Sequence, residues 1–228
     1  QRAYDQILHD VCIQNLPVIF AIDRGGIVGE DGSTHQGIFD IAYLSHIPNM
    51  TIMAPKNYAE LKYMFEFAIS YQGPIAIRYP RGSEGKEVAQ INTTPIEYGK
   101  SEVLQEGESV AIIAIGKMVE TAIEVAKLLK AKGIIPYVIN ARFAKPIDED
   151  MLEIVAPNVE YIVTLEDHVI CGGFGENLTS VLKRNDKCNH IHVHNIGFPD
   201  EFIEHGSTNA IYSKYGLDQK SIADKIYN

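Results

Sequence analysis

Cysteine is scarce in this 228-residue chain. Cys12, Cys171 and Cys188 stand far apart, too few for a disulfide framework and without the CxxC spacing of a metal knot. That usage suits a reducing cytoplasm. No apolar run approaches the roughly 18–20 residues that cross a bilayer, which removes a transmembrane reading. Basic runs are missing as well. Lys and Arg number 20 against 30 Asp and Glu, a net charge of −10, and an acidic chain of this kind is a poor binder of nucleic acid. Residues 1–82 carry 6 basic and 8 acidic groups and residues 83–228 carry 14 and 22, so most of the acidity is a solvated face of the second half. An initiating Met is absent too. The chain opens at Gln1 and reads as the middle of a longer polypeptide, which leaves both a bacterial cytoplasm and a plastid-targeted precursor open.

What is present is an ordinary globular composition, 46% hydrophobic and 22% charged, enough for one large or two small domains. Tyr4, Ile7, Leu8, Val11 and Cys12 make an i, i+3, i+4 stripe, which predicts an opening helix. Val18–Ile22 is a continuous apolar run, the pattern of a strand buried on both faces in a parallel sheet. The alternation continues with a short helix over Phe39–His46, a strand at Thr51–Met53, a helix over Asn57–Tyr71 and a strand at Ile75–Ile77. In the longer helix Asn57 and Glu60 are spaced as a capping pair, and Leu61, Met64, Phe65, Ala68 and Ile69 form the apolar face. Periodicity lapses over 83–98, read as a linker between a first domain at 1–82 and a second at 99–228. The second repeats the pattern: strands at Val110–Ile115, Ile134–Ile139, Tyr161–Leu165 and Ile191–Ile196, with helices from Met118, from Asp148, after Gly172-Gly173 and over Asp218–Tyr227. The fold class is α/β, helices packed on parallel sheets, in two consecutive domains.

Ligands of open parallel sheets collect at the carboxyl ends of the strands. Directly after Ile22 comes a segment, 23–37, with five glycines in fifteen residues and with Arg24, Asp31 and His35 among them. Glycines admit close backbone approach, and a guanidinium beside a carboxylate and an imidazole can bind an anion and handle a proton. Arg78-Tyr79-Pro80-Arg81 follows another strand end, so Arg24 and Arg81 are candidates to converge on one phosphate monoester. The plainer alternative pairs one of them with Asp23 or Glu84. Other features are weaker. His190, His192 and His194 alternate along one strand face without a matching carboxylate or thiol. Gly172-Gly173-Phe174-Gly175 is similar to a phosphate-cradling turn, though close packing explains it equally well. Glu166-Asp167-His168, just before it, stays unassigned between an active site and an interface.

The segments AIDRGGIVGEDGSTHQGIFDIAYLSHIPNM and GPIAIRYPRG closely resemble the pyrimidine-binding domain of the 1-deoxy-D-xylulose-5-phosphate synthase family, and RFAKPIDEDML, EDHVICGGFGENL and NIGFPDEFIEHG resemble its transketolase-type C-terminal domain. The resemblance runs from Gln1 to Asn228; its one departure in the core is Gly25, where Ala is the commoner residue. It implies a thiamin-diphosphate- and Mg2+-dependent homodimer at the entry to isoprenoid and thiamin synthesis. That enzyme decarboxylates pyruvate and joins the two-carbon unit to D-glyceraldehyde 3-phosphate, giving 1-deoxy-D-xylulose 5-phosphate. By position, Arg24 and Arg81 hold the acceptor phosphate, Asp31 and His35 contact its hydroxyl and carbonyl region with His35 moving a proton, and Arg2 lies near the aminopyrimidine end of the cofactor. The family's GDG…N magnesium motif has no counterpart here, and its activating glutamate precedes the segment matched. The resemblance therefore implies a C-terminal fragment with the acceptor half of a site, completed by the N-terminal part of the same enzyme. The GEDGSTHQ core also fits transketolase or a dehydrogenase beta-type subunit, and a non-catalytic dimerisation module is the alternative of another class.

Overall fold

The computed structural model describes all of Gln1–Asn228. The opening helix, α1 (Tyr4–Gln6), runs on into a wider-wound stretch, Ile7–Cys12, in which the Ile13 N–H donates to Leu8 O and Leu16 N–H to Val11 O, five residues back. The elements that follow are β1 (Ile19–Ile22), α2 (Asp40–Ser45), β2 (Thr51–Met53), α3 (Tyr58–Ser70) and β3 (Ile75–Arg78). A short α4 (Lys86–Ala89) stands in the stretch read as a linker, its Val88 buried. Then come β4 (Glu102–Gln105), β5 (Ser109–Ala114), α5 (Met118–Ala131), β6 (Tyr137–Asn140), β7 (Phe143–Lys145), α6 (Glu149–Val155), β8 (Val159–Val169), α7 (Phe174–Leu182), β9 (His192–Phe198), α8 (Thr208–Lys214) and α9 (Gln219–Tyr227).

Two sheets result. One has the order β1-β3-β2-β7, parallel except for β7; the other is β4-β6-β5-β8-β9, parallel except for β4. Four elements, α4, β4, β7 and α8, are unanticipated, and the one that ties the two sheets together is β7. It follows β6 in the chain but leaves the second sheet to edge the first, across a turn made by Arg142 at φ +57. Lys145 at its end donates to Ser45 O at 2.7 Å and Ile47 O at 2.6 Å, closing the carboxyl end of α2. The two sheets consequently share a core: Ile41, Leu44, Ile52 and Ala76 from the first half cluster with Ile113, Ile139, Ile162, Phe174 and Leu178 from the second. A buried ionic node joins the halves as well. Lys56 lies 2.7 Å from Glu102 and 3.1 Å from Glu60, and Arg142 Nε donates to Glu60 at 2.9 Å. Two cations face two carboxylates, so the node is balanced.

Two readings change. β1 is an edge strand, laddered on β3 alone with Ala21 exposed, rather than a strand covered on both faces. Ile69 is 75% exposed. It lies in the last turn of α3, rotated past the stripe of Met64 and Ala68 that meets the core.

Candidate active site

The loop after β1 is fastened at its base. Gly26 and Gly37 exchange N–H···O bonds of 2.7 Å each way, and Gly25 N–H donates to Tyr79 O at 2.9 Å, tying the ends of β1 and β3 together. Two of the glycines leave a side chain little room. A Cβ on Gly25 would lie 2.7 Å from Arg78 Cγ, and one on Gly26, at φ +87, would lie 1.7 Å from Asp167 Oδ2. Higher in the loop, Val28 N–H donates to Gln36 Oε1 at 2.8 Å and Gly206 N–H to Gly29 O at 3.3 Å, so the second half of the chain braces it.

The predicted site residues occupy the exposed rim of this frame. Arg81 Nη1 donates to Asp31 Oδ2 at 2.7 Å, joining the loops beyond β1 and β3 across fifty residues of sequence. Arg24, at φ +57, donates through Nη1 to Asp23 at 2.8 Å, the pairing foreseen as the plainer alternative for one arginine. Each guanidinium keeps further N–H donors for a ligand. His35 shares a 2.9 Å hydrogen bond through Nδ1 with Thr34 Oγ1 and hydrogen-bonds to neither arginine. Arg2 is exposed in the turn before α1 and makes no side-chain hydrogen bond. Glu84 is engaged elsewhere, accepting from Tyr58 N–H at 2.7 Å.

Beneath the rim lies a buried polar layer that sequence reasoning left unassigned. Arg78, the last residue of a strand buried throughout, turns inward where Arg81 turns out. Its Nε meets both Asp40 oxygens at 2.8 and 2.9 Å, and Nη2 donates to Gly37 O at 2.9 Å and Asp167 O at 2.6 Å. The Glu166-Asp167-His168 run ends β8 against it. His168 Nδ1 donates to Val169 O at 2.7 Å while Nε2 accepts from Ala42 N–H at 3.3 Å, a neutral tautomer with both nitrogens used. Burial holds its pKa down at about 4, against the pull of Asp40. Burial also pushes Glu166 up to about 8, opposed by the Gly175 and Phe174 amides and by Arg78. Burial raises Asp167 in the same way, opposed first by Arg78.

The Gly172–Gly175 turn is no phosphate cradle. Glu166 itself takes the amides that open α7, accepting from Phe174 N–H at 2.7 Å and Gly175 N–H at 2.9 Å. His192 and His194 lie on the exposed face of β9, and His190 meets Ala156 O at 3.0 Å. No group of three or more His, Cys, Asp or Glu side chains is gathered to hold a metal ion, and no helix is long and apolar enough to cross a membrane.

The transketolase pyrimidine-binding domain matches residues 1–85 and the transketolase C-terminal domain residues 99–222. The chain belongs to the transketolase family, and its two α/β units, with mainly parallel sheets, are those two domains. A protein described as a split-gene transketolase in an inactive beta4 tetramer superposes with a TM-score of 0.87 at 31% identity, over 98% of this chain and 70% of that one. A transketolase mutant from Pichia stipitis shares the fold, with a TM-score of 0.74 at 22% identity over 95% of this chain and 30% of that one. Within the family, the chain is homologous to 1-deoxy-D-xylulose-5-phosphate synthase. It is 51% identical over 99% of its length to that of Caldanaerobacter subterraneus subsp. tengcongensis and 52% identical to that of Clostridium tetani. It spans 36% of the length of either relative.

Proposed function

We propose that this chain is the acceptor-binding part of a synthase that decarboxylates pyruvate and adds the two-carbon unit to D-glyceraldehyde 3-phosphate, forming 1-deoxy-D-xylulose 5-phosphate and carbon dioxide. The observation that carries the reading is the Arg81–Asp31 pair, which unites the two strand-end loops of a chain about half identical to such synthases. Arg24 and Arg81 turn their remaining N–H donors to the phosphate dianion, and charge-assisted, forked contacts of this kind favour a phosphate monoester. Asp31 holds Arg81 in place and accepts from an acceptor hydroxyl. His35, with Nδ1 on Thr34, keeps Nε2 for a proton exchanged with the acceptor carbonyl oxygen as the carbon–carbon bond forms.

Thiamin diphosphate, when bound, makes the pyruvate-derived carbon nucleophilic. The residues of this chain do not fit its diphosphate–magnesium end. No carboxylate cluster is gathered for the ion, and the glycine-rich helix start is filled by Glu166. Arg2 stays a candidate neighbour of its pyrimidine. The remaining polypeptide of the synthase and a second copy are the partners this reading requires, in a bacterial cytoplasm like that of the homologues' hosts.

A transketolase subunit is the second reading, favoured by the 0.87 superposition on the split-gene protein. The full-length polypeptide with thiamin diphosphate and magnesium separates the two. Release of carbon dioxide from pyruvate that depends on glyceraldehyde 3-phosphate supports the synthase. Two-carbon transfer from a ketose phosphate, with pyruvate inert, supports the transketolase.

A further inference from the structure

Asp167 is 1% exposed near the end of β8, an interior strand of the second sheet. A carboxylate so placed costs more than an apolar residue of similar volume unless its contacts do something an apolar side chain cannot. Its contacts reach away from its own sheet. Oδ1 accepts from Ile27 N–H at 3.4 Å, and Oδ2 lies against the Gly26 backbone, where any Cβ would fall 1.7 Å away. Oδ2 itself has no aligned hydrogen bond, and neither does the buried Tyr212 hydroxyl beside it. The main-chain oxygen of Asp167 takes Arg78 Nη2 at 2.6 Å, and Arg78 packs under Gly25. The loop base is thus gripped from both sheets, by Arg78 from β3 and by Asp167 from β8. Arg24 and Gly26 both hold left-handed backbone, at φ +57 and +87, a conformation that a non-glycine residue such as Arg24 keeps only when its surroundings enforce it. Arg24 stands two residues before Gly26, and Asp31 four after Ile27.

We propose that Asp167 is a positioning residue for acceptor recognition: from the second sheet its carboxylate holds the Gly26–Ile27 backbone and, through it, sets the directions of Arg24 and Asp31. The proposal rests on the acceptor-site reading above. It gives the second half of the chain a part in substrate selection in addition to assembly.

The test is steady-state kinetics on the full-length synthase containing this chain, with Asp167→Ala, Asp167→Ser and Asp167→Asn measured beside Arg81→Ala. Alanine, and serine with its hydroxyl too short to reach Ile27 N, are expected to raise KM for glyceraldehyde 3-phosphate about tenfold. KM for pyruvate and kcat stay within about twofold, a split that general loosening of the fold would not give. Asparagine keeps an acceptor for Ile27 N–H and stays within about threefold of the parent. Gly26→Ala, which drives a Cβ into the carboxyl without altering β8, reproduces the selective rise and stands in if the buried Asp167 variants do not accumulate. A joint rise of both KM values overturns the proposal, and so does an asparagine variant as impaired as alanine. An unmoved acceptor KM where Arg81→Ala raises it overturns the clamp alone. Were Arg81→Ala also silent, the acceptor-site reading itself would fall.

Discussion

At the scale of the residue, His168 and Glu166 set opposite pH dependences within two positions of each other. His168 is neutral when folded, with a pKa near 4 in place of 6.5. Between those values the unfolded chain binds a proton that the folded chain refuses, so stability falls as pH drops from 6.5 toward 4. Glu166, raised to about 8, behaves in reverse: the folded state keeps a proton that the unfolded chain has lost above 4.5, so stability falls as pH climbs from 4.5 to 8. Urea unfolding across pH 4–8 should show a shallower acid-side decline in His168→Gln and a shallower decline toward pH 8 in Glu166→Gln. Profiles parallel to the parent's would mean that neither group is shifted by burial. Neither behaviour was legible in the chain. A Glu-Asp-His run reads the same on a surface as in a core, and only the strand continuing four residues past Leu165, to Val169, carries it inside.

At the scale of the element, α3 shows what local sequence can fix. Asn57 accepts from Glu60 N–H at 2.8 Å, as the capping spacing predicts, and its amide also reaches Val88 O at 2.8 Å. The Glu60 side chain does not return to the cap residue; it accepts from Lys56 N–H at 2.7 Å and enters the buried node. Asn57→Ala removes a cap and a tie to α4, and should lower the unfolding free energy by about 1–2 kcal/mol. An unchanged urea midpoint would show the cap to be replaceable by water. The capped α3, the periodic α5 and the continuously apolar β5 are readable because their signals are local. The three-residue β7 and the edge strand β4 are not, since each is defined by the partner it finds: Ile52 and Met53 for β7, Val138 to Asn140 for β4. The exposed loop beyond β1 is legible for a related reason, as a glycine-rich run after a strand predicts a loop at its carboxyl end, whereas the inward turn of Arg78 depends on Asp40 and Asp167 arriving from other elements.

At the scale of the whole molecule, the first sheet has an open side. The free edge of β1 and the exposed Ile13 and Leu16 lie together in sequence just ahead of the site loop, a surface suited to association. The chain on its own should be catalytically inactive, bind thiamin diphosphate with magnesium weakly in calorimetry, and sediment as a dimer or larger assembly. Micromolar cofactor binding, or a single monomeric boundary, would contradict this. The central claim, that Arg24 and Arg81 together read the acceptor phosphate, is tested most directly by comparing phosphorylated with unphosphorylated glyceraldehyde on Arg24→Ala and Arg81→Ala of the full-length enzyme. Each substitution should lower kcat/KM for glyceraldehyde 3-phosphate by about one to two orders of magnitude, the loss of one or two charge-assisted bonds. Glyceraldehyde, with no phosphate to lose, should hardly respond; equal losses for both aldehydes would mean that these arginines hold the loop and not the phosphate.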